Sequence, residues 1–258
     1  MIAVKTRERL RMLDAIRGLA LLNMIVYHAL WDVVYIIGTD IPWYRSAGAH
    51  IWQQCICCTF IFLSGFCQRL GNKPLKRGLT VFIAGAIVTA VTLIFTPEDR
   101  VVFGVLTIIG SCMLLMIPIG KALKKCPPAL GLCVSLALFV FTKSIDNGYL
   151  GFENFHPLIL PRVMYANYVT AFFGFPHRDF FSTDYFPLFP WLFLFAAGYF
   201  LYGIFEKYDK LDCFNILNFG KKSVLEWLGR HSLIIYMLHQ PVLYFSFIGL
   251  SKLIKHIR

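Results

Sequence analysis

The sequence predicts an all-α integral membrane protein, a polytopic bundle of about seven transmembrane helices with its N-terminus in the cytoplasm. Three observations lead there. Hydrophobic residues fill 58% of the 258 positions and charged ones 15%, with a mean hydropathy of +0.65, more apolar surface than a soluble domain of this length can hide. Apolar runs of about 17 to 25 residues recur, each bounded by Gly, Pro or charge. Lys and Arg collect in alternate intervals between those runs, as the positive-inside rule requires.

The first run, near 13–37, follows MIAVKTRERLRML. That basic start resembles a signal peptide, but the run is too long and too charged for one and lacks a clear small-residue cleavage site, so it reads as a retained helix. Further runs lie near 50–68, 78–96, 101–121, 127–143, 187–205 and 232–251. With the N-terminus inside, the cytoplasmic intervals hold Lys5, Arg7, Arg9 and Arg11, then Arg69, Lys73, Lys76 and Arg77, then Lys121, Lys124 and Lys125, then Lys207, Lys210, Lys221, Lys222 and Arg230. Those sixteen face eight outside, three of them in the C-terminal SKLIKHIR. Between the fifth and sixth runs, Ser144 to Tyr185 is aromatic and punctuated by Pro and Gly. Its apolar stretch LPRVMYANYVTAFFGF is short and holds Arg162, which predicts an outer-face amphipathic or re-entrant segment. No internal repeat, low-complexity tract or linker divides the chain, so residues 1–258 read as a single transmembrane domain.

The net charge of +11 reports topology rather than a nucleic-acid partner, because the basic residues sit between apolar runs. The eight Cys lie mostly within or beside those runs, where a free Cys acts as a small hydrophobe. Cys55 and Cys58 have C-x-x-C spacing, but no second pair or His stands in register, so no metal is expected.

The first run carries Asp14, Arg17, His28 and Asp32. At about 100° per residue, Arg17 and His28 project within roughly 20° of each other, and Asp14 and Asp32 within roughly 60° of them, so all four share one face. An ionisable residue in a membrane costs about 2.5–3.5 kcal/mol on insertion scales, so this stripe must face a protein interior or a wet cavity. His28 lies about 16 Å along the axis from Arg17, toward the outer side. There an imidazole could act as a general base, oriented by a carboxylate such as Asp32 or by another polar group. The bland alternative is that Asp14 and Arg17 neutralise each other and His28 bonds a neighbouring helix.

Two further constellations carry polar groups into apolar runs. STDYFPLFPW (182–191) places Asp184 at a helix start, either as a cap or as an acidic contact for an acceptor. GRHSLIIYMLHQP (229–241) sets Ser232, Tyr236, His239 and Gln240 at helical spacing, with Pro241 able to kink the helix. His239 is the catalytic candidate there, and helix-to-helix hydrogen bonding is its plain alternative. His50, opening the second run, is a weaker candidate.

RLRMLDAIRGLALLNMIVYHALWD (9–32), IFLSGF (61–66), FGVLTIIGSCML (103–114), DYFPLFPWLFLFAAGYFLY (184–202) and LGRHSLIIYMLHQPVL (228–243) resemble the bacterial DUF1624 proteins. These share a domain with the catalytic part of heparan-alpha-glucosaminide N-acetyltransferase, within the wider transmembrane acyltransferase group. The Arg-x10-His spacing also resembles that of the acyltransferase-3 proteins, where the His is held to be catalytic. Two departures stand out. Thr107 occupies a place where the family's pattern has a His, and only His50 offers a match to the loop His of the lysosomal enzyme.

The resemblance implies a membrane acyltransferase of the bacterial cytoplasmic membrane. It would take an acyl group, acetyl in the family, from cytoplasmic acetyl-CoA or another acyl-CoA to an outer acceptor, a carbohydrate or amino sugar of the envelope. Combined with the readings above, it leads to the expectation that His28, Asp32 and His239 serve catalysis, Arg17 and Asp14 the donor mouth, and Asp184 and His50 the acceptor. Membrane lipid is the other expected partner, no nucleic acid is, and a homo-oligomer is left open. The competing reading is a non-enzymatic small transporter or proton or ion pathway using the same stripe, which the lack of inverted repeats disfavours.

Overall fold

Seven helices long and apolar enough to cross a membrane occur among the described residues, one at each predicted run. The structure, a computed structural model, describes residues 10–152, 155–215 and 223–257. Lys5, Arg7, Arg9, Lys221, Lys222 and Arg258, used above for orientation, lie outside them. The spanning helices are α1 (Arg11–Tyr35), α2 (Ala47–Cys67), α3 (Pro74–Phe95), α4 (Val105–Ala122), α5 (Pro128–Phe141), α7 (Leu188–Lys207) and α9 (Ser232–Ile257). Two short helices complete the set, α6 (Tyr168–Phe173) and α8 (Val224–Arg230). Pro at the first helical position starts α3 and α5, where its fixed φ suits the turn and its missing N–H removes no hydrogen bond. Pro241 leaves α9 as one helix.

The chain forms two compact units, with the boundary inside α2. The first comprises residues up to Phe60 and from Tyr208 onward. Leu21 and Met24 of α1 meet Ile56 of α2 in its apolar centre, flanked by Trp52, Leu228 and Ile235. The backbones of α1 and α8 touch: a Cβ on Gly18 would run into the Leu225 carbonyl, and one on Gly229 into the Asp14 carbonyl. Small residues at such crossings are what lets membrane helices associate, since lipid supplies no hydrophobic drive between them.

The second unit, Ile61–Lys207, is assembled by the same device. Gly65 and Gly198 bring α2 against α7 at Phe195 and Phe62, Gly85 and Gly110 bring α3 against α4 at Thr107 and Phe82, and Gly131 seats Phe200 of α7 on α5. Gln68, buried after α2, donates to the Met113 carbonyl at 2.8 Å.

The segment from Ser144 takes a form the amphipathic or re-entrant expectation did not include. It contains an antiparallel hairpin, β1 (Tyr149–Phe152) with β2 (Phe155–Ile159), pairing Tyr149 with Ile159 and Leu150 with Leu158, followed by the six-residue α6. Gly148, Gly151 and Gly174 all have positive φ (94°, 132° and 120°), and Pro157 and Pro161 withhold N–H donors, so no long helix can propagate here. Asn167 caps α6, accepting from the Val169 and Thr170 N–H groups.

Candidate active site

Two polar clusters stand along α1 in the first unit. At its N-terminal end Asp14, 5% exposed, accepts ion pairs from Arg17 at 3.4 Å and from Arg230 of α8 at 3.5 Å. Glu226, 2% exposed, is gripped by both arms of Arg11 at 3.1 Å and reached by Arg230 at 3.6 Å. Three guanidinium groups thus share two carboxylates. Gly18 and Gly229 make this possible by admitting α8 to backbone contact, which carries Glu226 and Arg230 onto the Asp14 face. The predicted Asp14–Arg17 pair is present, and it belongs to a larger network that spacing along α1 could not show.

About three turns further along α1 the second cluster joins α1 to α9. The His28 and His239 rings approach edge to face, with centroids 4.9 Å apart. Asp32, completely buried, accepts a hydrogen bond at Oδ1 from Gln240 Nε2 at 3.1 Å. His239 Nδ1 lies 2.5 Å from the Tyr236 carbonyl. A carbonyl oxygen only accepts, so that contact places the proton on Nδ1 and leaves a lone pair on Nε2 of the neutral ring. His239 Nε2, Asp32 Oδ2 and Gln240 Oε1 are all buried and have no hydrogen-bond partner among the described residues. Native structures hold only a few orphaned polar atoms per hundred residues. Three on two facing helices make a place that a donor-bearing molecule would satisfy.

The sequence reading had Asp32 orient His28. In the structure its carboxylate engages Gln240 instead, because α9 delivers an amide to it directly. Gln240 is the member of this cluster that was noticed only as part of a polar stripe. The signal was its place next to His239, but which neighbour it would meet depends on how α9 lies on α1.

Around the His pair stands a connected set of rings. Tyr27 contacts His28, Tyr44 and Trp52, at centroid distances of 6.3, 5.1 and 5.4 Å. Trp52 Nε1 donates to Asn23 Oδ1 at 3.0 Å. Tyr44 donates to the Tyr27 carbonyl at 3.4 Å, and burial pushes its phenol pKa up. His50 sits exposed in the first turn of α2, and no ring contact or hydrogen bond among the described residues joins it to the His pair.

A family model described as heparan-alpha-glucosaminide N-acetyltransferase, catalytic, matches residues 9–241. The chain belongs to this family. The match covers α1 through the Gln240–Pro241 step of α9, so both polar clusters fall inside the N-acetyltransferase region. An acetyltransferase-type activity in an integral membrane protein is what membership implies. No curated protein and no solved structure matches the chain.

Two family-linked positions lie in the second unit. Thr107 is buried with its hydroxyl unpartnered among the described residues, and a Cβ at Gly85 would lie 2.5 Å from its nitrogen and its Oγ1. The absence of a side chain at Gly85 is what lets the α3 backbone lie directly on Thr107. Asp184 caps α4 rather than its own helix α7, accepting from the Val105 N–H at 3.4 Å. Burial raises its pKa to about 6, against the opposing effect of that hydrogen bond. Capping was one of the two readings of Asp184, and the helix it serves is distant in sequence.

Proposed function

We propose that the chain transfers an acyl group, acetyl by its family, from cytoplasmic acyl-CoA to an acceptor on the outer side of a bacterial cytoplasmic membrane, a carbohydrate or amino sugar of the envelope. The whole chain acts as one acyltransferase domain in this reading. The observation that carries it is the His28–His239 pair, with an open lone pair on His239 Nε2 beside two further open acceptors on Asp32 and Gln240.

An acceptor amine or hydroxyl brings the donor hydrogens those atoms lack. As its nitrogen or oxygen attacks the thioester carbonyl carbon, the displaced proton passes to the imidazole pair. The carbon–sulfur bond then breaks, and the coenzyme thiolate leaves and recovers the proton from the imidazolium. His239 presents the accepting atom, and His28, edge-on to it, shares the proton transfer. Asp32, held by Gln240, receives a second hydrogen of the acceptor and so sets its orientation. His50 in the first unit is proposed as an acceptor contact, tested by a rise in acceptor KM in His50→Ala, and Asp184 in the second unit is a separate candidate, tested in the same way by Asp184→Asn. Arg17 and Asp14 serve the donor mouth.

The test is release of free thiol from acetyl-CoA by protein reconstituted in vesicles, with and without a panel of hexoses and hexosamines. Wild type should release thiol, and His28→Ala and His239→Gln should each lose about 10²–10⁴-fold while still binding donor. A variant retaining more than roughly a tenth of the wild-type rate would lose its place in the proton transfer. No thiol release by wild type with any acceptor would overturn the acyltransferase reading and favour a transport role.

A further inference from the structure

The ends of α4 and α7, the turn at 68–70 and the start of α5 enclose a cavity of about 270 Å³ in the second unit. Its charged lining is Arg69, Lys124 and Lys207 against the single carboxylate of Glu206, an excess of two positive charges. Arg69 is already set in place. It pairs with Glu206 at 2.6 Å, and its guanidinium carbon stands 5.2 Å from the ring centroids of both Tyr199 and Tyr202.

Two glycines keep the space open. A Cβ on Gly203 would come within 2.7 Å of Arg69 Nη1, and one on Gly120 within 2.7 Å of the Tyr199 hydroxyl. Tyr199 lines the cavity, and its hydroxyl can donate. Leu123 and Phe200 supply apolar wall, and Pro128 brings the start of α5, whose helix dipole favours an anion.

Lysines at helix C-termini often do no more than offset the dipole. Here they share a cavity with an oriented guanidinium, a phenol and an apolar wall. We propose that this cavity binds a phosphate ester, with Lys124, Lys207, Arg69 and the Tyr199 hydroxyl on the phosphate oxygens and Leu123 and Phe200 against the carbon atoms that carry it. The same chemistry can arrive on a glycerophospholipid headgroup or on a small soluble phosphoester such as glycerol 3-phosphate. The binding is a property of the second unit alone and stands apart from the proton transfer proposed for the His pair.

Lys124 and Lys207 are exposed, so Lys124→Gln/Lys207→Gln should fold. The full chain is extracted from vesicles of mixed phosphatidylcholine and phosphatidylglycerol, and retained lipid is counted by native mass spectrometry. Glycerol 3-phosphate binding to lipid-depleted protein is measured by calorimetry. Lys73→Gln/Lys76→Gln, two exposed lysines in the neighbouring basic interval that do not line the cavity, is the control. The expected result is a loss on the order of tenfold or more in one of the two bindings for the cavity variant and not for the control. Loss of phosphatidylglycerol identifies a lipid headgroup, and loss of glycerol 3-phosphate a soluble phosphoester. Equal loss in cavity and control variants, no loss in either, or no binding of either probe by wild type would overturn the proposal. None of these readouts depends on turnover.

Discussion

At the scale of single residues the chemistry turns on which atoms are already committed. The Tyr236 carbonyl accepts the hydrogen bond from His239 Nδ1–H and leaves Nε2 open, and Gln240 donates to one oxygen of Asp32 and leaves the other. Arg17 is likewise engaged, by Asp14 at 3.4 Å, while still a fifth exposed. It lies about 16 Å along α1 from His28, beyond the reach of a proton-transferring contact. Arg17→Lys should therefore raise the KM for acyl-CoA more than it lowers kcat, since Lys keeps the charge but not the two-pronged grip. An unchanged donor KM with a collapsed kcat would contradict the assignment. Asp184 yields a prediction with a definite pH sign. Its folded pKa of about 6 exceeds the ordinary 3.8, so the native state holds more protons than the unfolded one between those values, and stability falls as pH rises through that window. Asn keeps an acceptor for the Val105 N–H and carries no charge. The Tm advantage of Asp184→Asn over wild type should therefore be small near pH 4, grow to about pH 7 and then level off, as thermal unfolding across that range will show.

At the scale of elements the fold relies on glycines that bring backbones into contact. Gly18 and Gly229 form one such crossing, each meeting a carbonyl of the opposing helix rather than a side chain that could turn aside. Gly18→Ala and Gly229→Ala should each lower stability by about 1–3 kcal/mol, the usual range for overpacking a fitted contact. The loss should be visible as a lower Tm in detergent. It should also loosen the Asp14–Arg230 pair, because that pair depends on α8 lying directly on α1. Gly249 has open space around its Cβ direction, so Gly249→Ala should leave Tm unchanged or raise it slightly through helix propensity.

At the scale of the whole molecule the open question is direction across the membrane. The charge asymmetry predicts that the N-terminus, Lys73 and Lys124 lie in the cytoplasm and Arg45 and Asp184 outside. Single cysteines introduced in a background freed of the native eight should react with an impermeant thiol reagent in intact cells at positions 45 and 184, and not at 73 or 124. Labelling at 73 or 124 would reverse the orientation, and the inside-to-outside direction of transfer with it.

Apolar runs announced all seven spanning helices, because a bilayer sets their length and composition whatever their neighbours are. The polar face of α1 was equally legible, since helical geometry alone puts Asp14, Arg17, His28 and Asp32 on one side. The hairpin at 149–159 was not, because strands of four and five residues are too short to mark a period and their pairing is set by turns. Only the tertiary structure decided that His28 meets His239, that Asp32 answers to Gln240, and that Asp184 caps α4. Each of those partners lies far away in the chain. Helix periodicity determines which residues share a face, whereas the facing residue on another helix is chosen by where glycines let two backbones touch, and that is decided by packing.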